Sequence, residues 1–374
     1  MTVRRTSKLI VLTAVAGLAL LALAPTAMAE RASTAAVAST AASATYPSYA
    51  GRFYSVAATS ADDVWAVGLS ADGGQIAHWN GRSWSDQDFV DGYQAVGAQS
   101  PTDVWAVGGT GWFYPTQTLA RHWNGKTWKL VPTPTPGGSA WFNAVSATSP
   151  TNAWAVGCIC GGPGEQGYMV PLIEHWNGKT WKQQTFPLPK NSAQLTGIAA
   201  TGPGNAWAVG GSNTSPGTSA IIEHWNGYRW RRVNTPPDLA NLQAITAVGR
   251  NDLWAVGYND AGSVYKSLIV HYNGQRWYVV PSPNPTGQTN LWDVSAKSST
   301  NVWAVGYTNP NTGATGPTAF HWNGKDWTSI PVVNPAGPML LGVVTISADD
   351  AWAVGTLGWS STAIEHWNGK AWKT

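Results

Sequence analysis

Apolar and polar positions along this 374-residue chain recur in short blocks, with no amphipathic period of 3.6 after the N-terminal segment. Residues 142–183 show the unit. Phe142-Asn143-Ala144-Val145-Ser146-Ala147 is a β-compatible run of mostly small residues, Ser149-Pro150-Thr151-Asn152 a turn, and Ala153-Trp154-Ala155-Val156-Gly157 a second strand. After a loop, Leu172-Ile173-Glu174-His175-Trp176 reads as a third strand and Thr180-Trp181-Lys182-Gln183 as a fourth. Asn177-Gly178 between them is a strong hairpin signal, because a type I′ turn needs positive φ at both central residues. A two-residue loop there pairs Trp176 with Lys179 and Glu174 with Trp181. Trp176 and Trp181 then share a face as diagonal neighbours, with Trp154 expected in the same layer.

The unit occurs seven times. Its second strand is centred on Trp65, Trp105, Trp154, Trp207, Trp254, Trp303 and Trp352, at spacings of 40, 49, 53, 47, 49 and 49 residues. Four antiparallel strands repeated at this period predict an all-β fold, a seven-bladed β-propeller. Twenty of the 24 tryptophans sit at repeat positions, and Tyr272 replaces one in the fifth copy. A sheet cannot bury such rings alone, so they are read as core between adjacent blades. The first strands carry Val or Ile nine residues before each second-strand Trp, and mostly Ala seven before, which suits a crowded innermost strand. The last strand stops at Thr374, leaving an edge that residues 45–50 are placed to cover.

The N-terminus changes the charge picture. Arg4, Arg5 and Lys8 precede an apolar run from Leu9 to Ala24, and Ala27-Met28-Ala29 has the small-x-small form of a cleavage site. Residues 1–29 read as a secretory signal, 30–47 as a flexible Ala/Ser/Thr linker and 48–374 as the propeller. Without the signal, 19 basic residues face 19 acidic ones. That balance offers no field for nucleic acid, and no membrane span is expected once the signal is gone. The expected product is a secreted monomer. Cys158 and Cys160 could close a local disulfide within one loop or stand as a thiol pair without a catalytic role.

Val-Trp-Ala-Val-Gly followed by His-Trp-Asn-Gly-x-x-Trp resembles the kelch repeat over all seven copies, although diglycine stands only at Gly108-Gly109 and Gly210-Gly211. It is more similar to the Trp-Ala-Val-Gly/His-Trp-Asn-Gly arrays of secreted bacterial proteins of unknown function. The resemblance implies a propeller and a secreted address, and no particular activity. All seven histidines belong to the repeat, so none is left as a copper ligand or general base, and the oxidase chemistry of some kelch-like proteins is not expected. They read as structural, bonded to a neighbouring blade. Asp63, Asp103, Asp252 and Asp350 share a turn slot with Asn152, Asn205 and Asn301, suited to accepting backbone N–H bonds. No cofactor or metal motif is present.

The connection lengths separate the two ends of the disc. First-to-second and third-to-fourth connections are constant; the second-to-third connections and the links between blades vary, and both emerge at one end. Surplus aromatics fall on that variable face: Trp112, Phe113, Tyr114, Trp141, Tyr168, Tyr258, Tyr265, Trp292, Tyr307 and Trp359. Asp293, beside Trp292 on an innermost strand, is the acid expected to reach the channel. The reading is a secreted, non-enzymatic binding propeller that takes a glycan or an extracellular protein through this face. The alternatives are a glycan-cleaving enzyme using Asp293 with a second carboxylate, and an extracellular interaction scaffold.

Overall fold

The computed structural model describes residues 46–374 except for 112–116, 135, 161–168, 187–191, 215–216, 238, 261–263, 284–286, 310–314, 335–336 and 359. Among the described residues there are 28 strands in seven sheets, each a four-stranded antiparallel meander in chain order, and no helix. The first strands are Gly51–Ser60, Gly92–Ser100, Ser139–Ser149, Ala193–Gly202, Asn241–Gly249, Gln288–Ser298 and Met339–Ser347. Each is the end strand of its sheet, and each touches the first strands of the blades on either side, the first blade touching the last. They therefore ring a central axis. The fold is the expected seven-bladed β-propeller.

Every first strand carries a β-bulge at the same point. In blade 3 the pairing steps from Phe142↔Gly157 to Ala144↔Val156 and leaves Asn143 without a partner residue. The same step skips Tyr54, Gln94, Thr196, Gln243, Trp292 and Leu341. The bulge explains the repeated Gly of Trp-Ala-Val-Gly. A Cβ on Gly157 would lie 2.0 Å from the Trp141 carbonyl oxygen, and its six equivalents would lie 1.9–2.1 Å from theirs. Only glycine lets the two backbones approach that closely.

The tryptophans pack otherwise than the hairpin register implied. Trp176 pairs directly with Trp181, so the connection is a four-residue loop and not a two-residue one. Asn177 Oδ1 accepts the backbone N–H of both Lys179 and Thr180 at 3.0 Å, an Asx turn in which only Gly178 has positive φ. Trp154 is also not in their layer. It pairs with His175, which places it on the opposite face of its sheet. There it enters blade 4, 5.2 Å from both Trp225 and Trp230, edge-on to the second. Trp105 meets Trp176 and Trp181 in the same way, and Trp207 meets Tyr272 and Trp277. The series closes on itself: Trp352 of blade 7 lies 5.5 Å from both Trp79 and Trp84 of blade 1. Each of the seven apolar clusters spans one such interface.

The histidines hold their own blade, not the next. His175 stacks on Trp154 at 4.0 Å, and its Nε2 lies 2.8 Å from Asn152 Oδ1 at the start of the second strand. All seven histidines repeat this, with Nε2 2.6–2.9 Å from an Asp or Asn oxygen. The turn acids and amides thus meet a ring nitrogen rather than backbone N–H groups. Asn152 and Asn205 also donate to Thr148 and Thr201 of the first strand, at 2.6 and 2.7 Å. First, second and third strands are tied together by one polar chain.

The final strand, Trp372–Lys373, is shorter than the others, and the N-terminal segment continues its edge. Thr362 N donates to Tyr49 O and Gly51 N to Ser360 O, each at 2.9 Å. The Tyr46 ring lies 5.1 Å from Trp352, and its hydroxyl is 3.2 Å from His366 Nδ1. Tyr46, within the 30–47 stretch read as linker, is thus packed against blade 7.

Because closure uses the same indole wedge as every other interface, Trp352→Ala is expected to destabilise the protein by about 3–5 kcal/mol. Denaturant unfolding of the variant beside Trp154→Ala checks this, and equal losses are expected.

Candidate functional site

The two ends of the disc differ as the loop lengths imply. At the uniform end, Trp176 Nε1 donates to Pro150 O at 3.0 Å, tying hairpin to turn; five equivalent tryptophans do the same. At the opposite end, the starts of third strands meet the links between blades: Thr118 Oγ1 bonds Thr133 and Pro134 O, and Ser267 Oγ bonds Pro283 O.

Of the candidate aromatics, Trp112, Phe113, Tyr114, Tyr168 and Trp359 lie outside the described residues. The other five occupy strands near the variable end, not loops. Trp141 lies in the first strand of blade 3, and its indole N–H donates to Asn143 Oδ1 at 3.0 Å. Asn143 Nδ2 in turn donates to Leu195 O of blade 4 at 2.8 Å. In blade 5, Tyr258 and Tyr265 are edge-on at 4.8 Å, and Asn241 Nδ2 donates to the Tyr258 hydroxyl. In blade 6, Trp292 lies 6.4 Å from Tyr307 with the rings 24° from parallel, and 38% of Trp292 is exposed.

Asp293 follows the bulge of blade 6. One oxygen accepts Val294 N and the other accepts Val343 N of blade 7, both at 2.8 Å. Ser55 does the same for Val96 N between blades 1 and 2, so the slot bridges neighbouring first strands. Burial among the converging strands pushes the Asp293 carboxyl up to about 7, against the lowering effect of its two backbone donors. No other first strand carries an acid, so among the described residues the channel wall holds no facing carboxylate.

Apart from Trp292, sequence reasoning passed over the bulge residues themselves. The slot eleven before each second-strand Trp holds Tyr54, Gln94, Asn143, Thr196, Gln243, Trp292 and Leu341. Its neighbour at twelve is always a buried Phe, Tyr or Leu, from Phe53 to Leu340. One varying slot inside an otherwise repeated strand was the available signal. The bulge takes that side chain out of the ladder on the strand that rings the axis, near the variable end, where each first strand begins.

Cys158 and Cys160 are free thiols on the second strand of blade 3, and not in a loop. They stand two apart on one strand face, and Cys158 is fully buried. Their mutual hydrogen bond raises Cys158 and lowers Cys160. A cavity of about 610 Å³ opens at the uniform end beside Thr148, Thr201, Asn205 and Arg250. It is built from repeat turns, and Arg250 is already bonded to Gly204 O at 3.2 Å. No cluster of three or more metal-ligating side chains occurs among the described residues, and no helix there is long and apolar enough to cross a membrane.

These features define a seven-bladed β-propeller with one uniform and one variable face around a polar and aromatic channel mouth. No family model matches the sequence, and no curated protein does, so the kelch resemblance rests on the repeat phrases alone. Among solved structures the chain is similar to YCF48 from Cyanidioschyzon merolae, with TM-score 0.54 and 16% identity, covering 86% of this chain and 96% of that one. It is also similar to YCF48 bound to D1 peptide, with TM-score 0.53 and 16% identity, covering 85% and 94%. At that identity the likeness shows the propeller fold.

One titratable group marks a structural weak point. Glu174 is fully buried, neither oxygen has a hydrogen-bond partner, and burial pushes its carboxyl up to about 8. Glu365 in the same slot receives Asn334 Nδ2 at 2.7 Å, and Glu223 lies 3.9 Å from Arg232. A folded pKa raised above the unfolded one gives stability that is complete in acid and lost as pH rises to the folded value. Stability should therefore fall between about pH 5 and about pH 8, by on the order of a few kcal/mol from this group. Glu174→Gln should flatten that decline and raise the melting temperature at the alkaline end, as thermal unfolding across the pH range would show.

Proposed function

We propose that this protein is an exported, non-enzymatic binding propeller that holds a protein ligand on its variable face. The observation that carries the reading is the concentration of unrepeated aromatic and carboxamide side chains at that end, while the uniform end repeats its turns seven times. The chemistry-bearing groups of the repeat are committed elsewhere. All seven histidines hold an Asp or Asn, and both oxygens of Asp293 hold backbone N–H groups. The fold likeness supports a protein ligand, since a similar propeller is bound to a peptide. Residues 1–29 support export, and the balanced charge of the remainder favours a ligand held by packing and hydrogen bonds over one held by charge. A glycan is the second reading. It is favoured by Trp292, an exposed indole braced by the near-parallel Tyr307, which is a surface for a sugar ring.

The test is capture from the medium and cell-surface fractions of the source cells. The purified protein should retain a defined protein partner. Replacing Tyr265, Trp292 and Tyr307 by Ala should lower capture about tenfold or more, as expected for central aromatic anchors. Replacing Lys126 and Lys179 on the uniform face should leave it unchanged. Equal capture by the folded aromatic variant would remove the variable face from the function.

A further inference from the structure

The seven bulge residues divide into two kinds. In blades 3 and 4 the fold uses the side chain: Asn143 Nδ2 donates to Leu195 O at 2.8 Å, and Thr196 Oγ1 to Leu242 O at 2.7 Å. In blade 7, Leu341 is buried. In blades 1, 2, 5 and 6 the same slot presents Tyr54, Gln94, Gln243 and Trp292. None of these four is hydrogen-bonded by its side chain to a described group, and all keep solvent access. Blades 1 and 2 are neighbours, as are 5 and 6, and the two pairs face each other across the ring. Each wall thus offers one aromatic ring and one free carboxamide.

We propose that these four side chains form a clamp at the variable-face mouth of the channel, and that its ligand is an extended, uncharged segment of polypeptide. A carboxamide carries both donors and acceptors, which matches the alternating C=O and N–H groups of an extended backbone. The rings supply apolar surface for the side chains between them. Charge selects further. Beside the clamp stand Arg52, whose guanidinium lies 5.8 Å from the Tyr54 ring centre, and Asp293, whose oxygens are already used. These two opposite charges, the ones that stand beside the clamp among the described residues, give no net field that favours an acidic or a basic run. The clamp rests on the protein-binding reading above and narrows it to a place and a ligand chemistry.

The test uses the purified full-length exported protein on short synthetic peptides with capped ends and no Asp, Glu, Lys or Arg. Charged peptides and a neutral glycan array run in parallel. The expected result is retention of a subset of the uncharged peptides. Gln94→Ala with Gln243→Ala should weaken that retention about tenfold or more, Trp292→Ala should do the same, and Arg250→Ala at the opposite end should have no effect. Gln94→Glu with Gln243→Glu keeps the side-chain shape and should also abolish it, which covers the case of an Ala variant that does not fold. Undiminished peptide retention by folded Gln variants overturns the clamp while leaving protein binding intact, as does retention of charged peptides alone. Retention of glycans alone, or of no probe, overturns both.

Discussion

Each blade leaves one indole on the face turned to its successor, and that indole fits only between two aromatic rings of the next blade. Trp154 between Trp225 and Trp230 is the pattern, and Trp352 between Trp79 and Trp84 closes it. The interaction is heterologous: the donor face and the acceptor face of a blade are different surfaces. A heterologous contact yields either an open array or a closed ring, and the rotation between blades decides which. Here it returns to the start after seven. No blade is an end, so none needs a capping surface, and the short last strand is completed by the segment that also places Tyr46 in the closing interface.

The wedge also accounts for the polar chain around it. An indole held flat by its neighbours still needs its height along the sheet set, and the stacked histidine does this from the other side. Nε2 of that histidine is fixed by the first residue of the second strand, so turn, ring and wedge form one unit in every blade. Asp and Asn serve equally because the slot asks only for an oxygen at hydrogen-bond distance. The bulge and its glycine belong to the same frame, since the kinked first strand brings its carbonyl to where a side chain on the second would stand.

Much of this frame was legible in the sequence because it repeats. Strand number, blade number, the two kinds of face and the core role of the tryptophans follow from spacing alone. The hairpin register did not, because Asn-Gly suits two turns: a two-residue loop with positive φ at both residues, or the four-residue loop in which Asn177 folds its side chain onto its own backbone. That error moved Trp181 by two positions without changing its face; placing Trp154 in the same layer was a separate error, since its partner His175 puts it on the opposite face of the sheet. The bulge ring was hidden for a different reason. A bulge is an event of pairing, and the strand that carries it looks ordinary until its partner is known.

Departure from the repeat is the natural guide to function in such a protein, but departure alone does not suffice. The slot before each histidine varies as freely as the bulge slot, holding Ala77, Arg121, Glu174, Glu223, Val270, Phe320 and Glu365. Six of those seven are buried and Arg121 is half-buried, so their variety adjusts packing, as when Asn334 reaches Glu365 at 2.7 Å or Arg121 reaches Asp91 at 3.3 Å. Variation there changes how two blades fit and is invisible from outside. At the bulge slot Tyr54, Gln94, Gln243 and Trp292 keep solvent access and make no side-chain hydrogen bond to a described residue. Selection on stability has little hold on such side chains, and it would tend to leave one residue type repeated, as it did for the Val and Ala slots a few positions on. Different residues at equivalent, accessible positions are what a ring needs in order to read a ligand that is not itself sevenfold.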